Sequence, residues 1–158
     1  MSLSIVLAAA ARCLLVLLFL PFSALDKIVN FDAAVGQAAL ATPRMLARVL
    51  VFAGLGVEVF MSLAVVTGVA DRLAAVVLAV YCLVTAVLWK QFWKAPDFRL
   101  KGPSRGRDTF WDFLKNLALA GGFLTLAFSG GASGVRQFLA HPFGSSRPYA
   151  VQSGDGVP

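Results

Sequence analysis

The stretch MLARVLVFAGLGVEVFMSLAVV, residues 45–66, is long and apolar enough to cross a bilayer, yet carries an acid, Glu58, near its middle. About 20 apolar residues rising ~1.5 Å each span the ~30 Å of hydrocarbon. A charged side chain at mid-bilayer costs about 3 kcal/mol on insertion scales, so such a group turns into a helix bundle, finds a partner or serves a function.

Working outward, three more apolar runs appear, giving four predicted helices at about 4–25, 45–66, 72–89 and 113–130. The chain predicts an all-α fold, an integral membrane four-helix bundle with antiparallel neighbouring helices. Composition agrees. The 158 residues are 59% hydrophobic and 14% charged, against about 25% charged in a soluble domain. One membrane domain, residues 1–130, uses most of the length and leaves a largely disordered polar tail at 131–158, within which VRQFLA, residues 135–140, reads as one interfacial turn. The first run lacks a basic leader and is interrupted by Arg12, so it reads as a retained helix rather than a signal peptide.

The joints carry signals of their own. Thr42 as N-cap and Pro43 as first helical residue start the second helix. Gly68 ends it, and Asp71 caps the third. The Ala-rich residues 30–41 read either as a short surface helix or as a loop. The segment 90–112 is long and basic, with a mobile centre, KGPSRGR, and aromatic ends. Trp89, Phe92, Trp93 and Trp111 form an aromatic interface, either anchoring at the headgroups or stacking on a ligand. Ala118 and Gly122, with Gly121, permit close approach of a neighbouring helix. Gly54 and Gly56 lie inside a span without a preceding strand, which excludes a dinucleotide fingerprint.

The net charge is +6, but the basic residues cluster in the connections, which in a membrane protein reports topology rather than nucleic-acid binding. The connections after the first and third helices hold most of the Lys and Arg. This predicts them on the cytoplasmic side and both termini outside. Cys13 and Cys82 lie in separate apolar runs and read as small hydrophobes. With a single His141 as well, no metal site of ordinary ligand spacing is expected.

Arg12 and Glu58 each lie eight residues from the outer end of their helix, about 12 Å deep. They are expected to form an ion pair, the candidate polar intramembrane site. This pair either fixes helix register or makes Glu58 a proton relay or ligand anchor. A second polar cluster, Asp26, Lys27, Lys115 and Asn116, is expected near the cytoplasmic surface. There Asp26 meets Lys115, unless Lys115 snorkels to the headgroups.

The strings SALDKIVNFD, GLGVEVFMSLAVVTGVADRLAA, QFW and FLKNLALAGG resemble the DoxX family over residues 12–130. The resemblance implies a four-helix bundle in a bacterial inner membrane, related to the membrane subunit of thiosulfate:quinone oxidoreductase. Arg12, Lys27, Glu58, Lys115 and Asn116 fall on its polar positions. Relatives often place His or another ring-bearing or polar residue ahead of the Phe-Trp pair. Lys90 and Gln91 stand there here, which weakens quinone or metal ligation by this loop.

Three functions follow as expectations. The first is a subunit or accessory of a membrane oxidoreductase, acting on or near quinone. No flavin, haem or iron–sulfur signature is present, so a partner protein would carry the electrons. The second is a non-catalytic scaffold whose basic connection binds a partner protein or anionic lipid. The third is small-solute transport by a homo-oligomer.

Overall fold

The structure is a computed structural model that describes residues 3–40 and 42–150. Among these residues the secondary structure is helical, without strands. Helix α1 spans Leu3–Val29, α2 Phe31–Ala38, α3 Arg44–Thr67, α4 Asp71–Trp89, α5 Arg105–Ala127 and α6 Ala132–Ala140. Helices α1, α3 and α4 are long and apolar enough to cross a membrane. The bent pair α5–α6 makes a fourth candidate, with a 77° break between the two.

Both long N-terminal helices are locally irregular where the polar site forms. α1 breaks at Leu20, which has extended φ and ψ ahead of Pro21. Proline supplies no N–H, and its ring crowds the preceding turn. α3 widens into a π-bulge over Val57–Met61, with Glu58 inside it. Bulges of this kind re-aim side chains and recur at functional sites.

The core is built of small and branched side chains. Val16, Phe19, Val65, Leu78, Cys82, Ala120 and Phe123 pack together with the alanines of α4. Gly122 gives the close approach expected of it: a Cβ there would lie 2.8 Å from Leu15 of α1, whereas Gly121 faces open space. Most large apolar side chains elsewhere are exposed, among them Phe22, Phe52 and Phe60, as befits a molecule whose solvent is lipid. Cys82 is buried and Cys13 exposed; both are free thiols.

Several joints differ from expectation. Pro43 is itself the N-cap of α3, and the Thr42 hydroxyl donates backward to the Ala38 carbonyl. Residues 31–38 are helical because Val35 and Ala38 pack on Ala47 and Val51 of α3, which a lone surface helix would lack. Gly68 ends α3 at φ 78°, as its lack of a Cβ allows. Asp71 opens α4 but does not cap it; its carboxylate serves another partner, described below.

α5 begins at Arg105, eight residues before the expected 113, because its first turn is capped twice. Ser104 accepts from the Arg107 N–H. Asp97 accepts from the N–H groups of Arg105 and Gly106. These bonds hold the segment expected to be mobile. The tail also departs from expectation through residue 150. α6 forms, and the chain beyond it returns to the α3–α4 turn. The rest of that tail, 151–158, lies outside the described residues.

Candidate polar site within the bundle

The expected Arg12–Glu58 pair is not formed; each charge has another partner. Arg12 Nη2 lies 2.7 Å from Asp71 Oδ2, and Arg12 Nη1 donates to the Val65 carbonyl at 2.7 Å. The physical reason is depth. Arg12 is level with the end of α3, whereas Glu58 lies seven residues further down that helix, about 10 Å. At that distance the carboxylate opening α4 is the nearer acid.

Glu58 is 1% exposed, and its Oε1 gathers three donors. Lys27 Nζ is 2.5 Å away, Tyr81 Oη 2.9 Å and Ser23 Oγ 3.0 Å. Lys27 also donates to Ser23 Oγ at 2.8 Å, which closes a small ring of bonds. Ser23 and Lys27 share a face of α1 by their four-residue spacing. They lie beyond the break at Leu20, and α1 runs on to Val29, so Lys27 reaches inward instead of ending at the surface. Its four-carbon stem supplies the reach. Tyr81 is positioned by an absence: a Cβ on Gly54 would lie 3.1 Å from the Tyr81 hydroxyl oxygen.

The other carboxylate oxygen, Oε2, is buried without a hydrogen-bond partner among the described residues. So is the hydroxyl of Ser62, one turn further along α3. Buried polar groups seldom stay unpaired. The carboxyl is thus saturated on one oxygen and bare on the other.

This cluster forms part of the wall of a cavity of about 730 Å³, within the size range of small-molecule sites. Leu18, Phe19, Leu50 and Val51 supply apolar wall, and Thr85 and Trp89 continue it along α4. Lys90, Asp112, Lys115 and Asn116 also line it. Asp112 accepts from Lys90 at 3.1 Å and from Lys115 at 3.3 Å.

The expected cytoplasmic-side cluster is therefore divided. Lys27 belongs to the Glu58 site. Asp26 accepts from Asn30. Lys115 bonds Asp112 instead of Asp26, and Asn116 donates to the Asp112 carbonyl within its own helix. The aromatic set divides as well. Trp89 faces the cavity, whereas Phe92 centres a cluster with Trp93, Phe98, Phe110 and Phe113 at ring distances of 5.0–5.4 Å. Trp93 and Trp111 are exposed. Among the described residues no group of His, Cys, Asp and Glu could hold a metal ion.

Sequence reasoning missed Ser23, Tyr81, Asp71 and Ser146. The Ser23–Lys27 spacing and the single hydroxyl-tipped ring in the third apolar run were usable signals for the first two. Ser146 had none, because its contact closes over a chain separation of 75 residues.

These features define a polytopic helical membrane protein with a charged, hydrogen-bonded site built into its bundle. The sequence pattern of the DoxX family matches residues 7–91. The chain is 34% identical over 127 residues to the Inner membrane protein YphA of Escherichia coli (strain K12), covering 79% of this chain and 84% of that protein. The chain belongs to the DoxX family. No solved structure gives a significant match.

Proposed function

We propose that this protein is a subunit or accessory of an oxidoreductase in the bacterial inner membrane, and that it holds a quinone in the cavity beside Glu58. The observation that carries this reading is the join between a buried carboxylate, a lysine and a phenol on one wall and apolar side chains on another. A quinone needs that combination: an apolar bed for its ring and a donor for its carbonyl oxygen. Lys27 uses two N–H groups on Ser23 and Glu58 and has three. The third serves the carbonyl.

Glu58 and Ser23 hold the ammonium in place through the bonds they accept from it. Oε1 already faces three donors, so Oε2 is the carboxylate oxygen left to meet a donor on a ligand. Electrons come from a partner protein, since the sequence has no signature for a redox group of its own. The inner-membrane placement follows the named location of the E. coli relative. The basic connections are taken as cytoplasmic and both termini as outside.

The test uses the full chain in lipid nanodiscs, titrated with a short-chain quinone. Quinones quench nearby tryptophan, and Trp89 lines the cavity. Saturable quenching is expected, lost in Trp89→Phe and shifted about tenfold to higher concentration in Lys27→Met, a loss of about 1.4 kcal/mol. No saturable quenching, or quenching that survives Trp89→Phe unchanged, overturns the quinone site. In that event a scaffold bearing a basic connection becomes the better reading.

A further inference from the structure

We propose that residues 132–150 form a lipid-seated clamp that closes the end of the bundle away from the cavity. The two ends are distinct. The cavity is lined by the last turns of α4, from Tyr81 to Trp89, while the clamp meets the first residues of that helix. Between Asp71 and Trp89 the helix rises about 27 Å.

The inner half of the clamp is a set of bonds to the α3–α4 turn. Ser146 donates through its backbone N–H to Asp71 Oδ1 at 2.9 Å and through its hydroxyl to Asp71 Oδ2. Arg12 Nη2 donates to the same hydroxyl at 2.9 Å. The Tyr149 hydroxyl donates to the Val66 carbonyl, and the ring of Pro148 lies against Gly68. Arg72 reaches the Gly134 carbonyl at 3.5 Å. The Arg12–Asp71 pair beneath is nearly dry, with side-chain exposures of 8% and 0%.

The outer half is the free face of α6. Gly134 and Phe138 turn inward. Gly134 sits so close to the Ser129 carbonyl that a Cβ would fall 2.4 Å from it, and Phe138 packs edge-on against Phe128. About a quarter turn round, Val135 and Leu139 are exposed, and Phe143 beyond the helix is 77% exposed. Arg136 and Gln137 occupy the remaining side and are also exposed.

Lipid is the occupant that fits this stripe. α6 leaves α5 at 77°, so a spanning α5 lays α6 along the membrane surface. Its apolar residues then continue the lipid-facing surface of the bundle, with Arg136 turned to the headgroups. That is the arrangement of an interfacial helix. A bundle closed in this way offers its cavity to one side of the membrane only, which argues against passage of solute through it.

Two measurements on the full chain test the clamp. Spin labels are placed singly at 139 and 143, with 137 as control, in a background of Cys13→Ala and Cys82→Ala. In lipid nanodiscs, labels at 139 and 143 are expected to collide with dissolved oxygen in preference to a water-soluble nickel chelate, and the label at 137 to do the reverse. Chelate preference at 139 and 143 overturns the lipid seat, and so does shielding of both labels from both reagents, which would reveal a protein partner. The second measurement is amide exchange in Ser146→Ala. Protection over 65–72 is expected to fall at least tenfold while that over 81–89 holds. Unchanged protection over 65–72 overturns the clamp.

Discussion

Glu58 shows how the cost of a charge in hydrocarbon selects its neighbours. A bare carboxylate there is expensive, and a lysine, a phenol and a hydroxyl converge on one of its oxygens. Removing a single member exposes the interdependence. Lys27→Met or Glu58→Leu alone leaves one charge buried without its partner, and losing one partner of a buried pair costs about 3–5 kcal/mol. The double variant Lys27→Met with Glu58→Leu is expected to regain most of that, since apolar residues often replace a buried pair at little cost. Unfolding in mild detergent, run as a double-mutant cycle, reads the difference. Additive losses, with the double variant losing the sum of the two single ones, would show that the pair is not coupled. Tyr81→Phe removes one neutral donor and is expected to cost only about 1 kcal/mol. The cost of the buried acid was legible in the sequence, but its partner was not. The expected depth of Arg12 depends on the ends of predicted helices, and an error of a few residues there exchanges one partner for another. Asp71 looked like a helix cap, a role its residue type suits equally well.

At the scale of elements, two irregularities build the site: the break of α1 at Leu20 and the bulge of α3 at Val57–Met61. Pro21 announces the first. Nothing in the string VEVFM announces the second, because a bulge arises from how a helix meets its neighbours and not from local preference. α5 makes the same point. Its apolar run begins near 113, but the helix starts at Arg105 since Asp97 and Ser104 satisfy its first N–H groups. Gly106 lets that turn press against the loop: a Cβ would lie 2.7 Å from the Phe98 Cα. Gly106→Ala must therefore shift backbone, and a loss of about 1–3 kcal/mol is expected. Asp97→Ala removes two bonds to that turn and leaves the Ser104 cap, for about 1 kcal/mol. Amide exchange over 105–109 should quicken in both variants, more in the first. If Asp97→Ala leaves it untouched, the turn is held by packing and by Ser104 rather than by Asp97.

For the whole molecule, hydropathy set the fold class, since helices are one of the two ways a chain can satisfy its backbone in lipid. It could not set how the chain ends. The contact of Ser146 with Asp71 joins residues far apart in sequence, and a polar tail rich in glycine gives no periodicity from which to foresee it. The distribution of charge supplies the last prediction. Lys90, Lys94, Arg99, Lys101, Arg105 and Arg107 crowd the α4–α5 connection and the first turn of α5, with Arg44 and Arg48 at the start of α3. The other end has fewer basic residues, and two of them, Arg12 and Arg72, are buried. Buried arginines held by Asp71 and Gly134 are not free to meet anionic headgroups, so the asymmetry felt by the membrane exceeds the count of charges. Lys and Arg are retained on the cytoplasmic side. A single cysteine at position 102, in a background lacking the native two, is therefore expected to react with an impermeant maleimide only after spheroplasts are broken. One at position 144 should react while they are intact. The reverse pattern would turn the molecule over, place the mouth of the cavity outside, and require any electron donor to approach from that side.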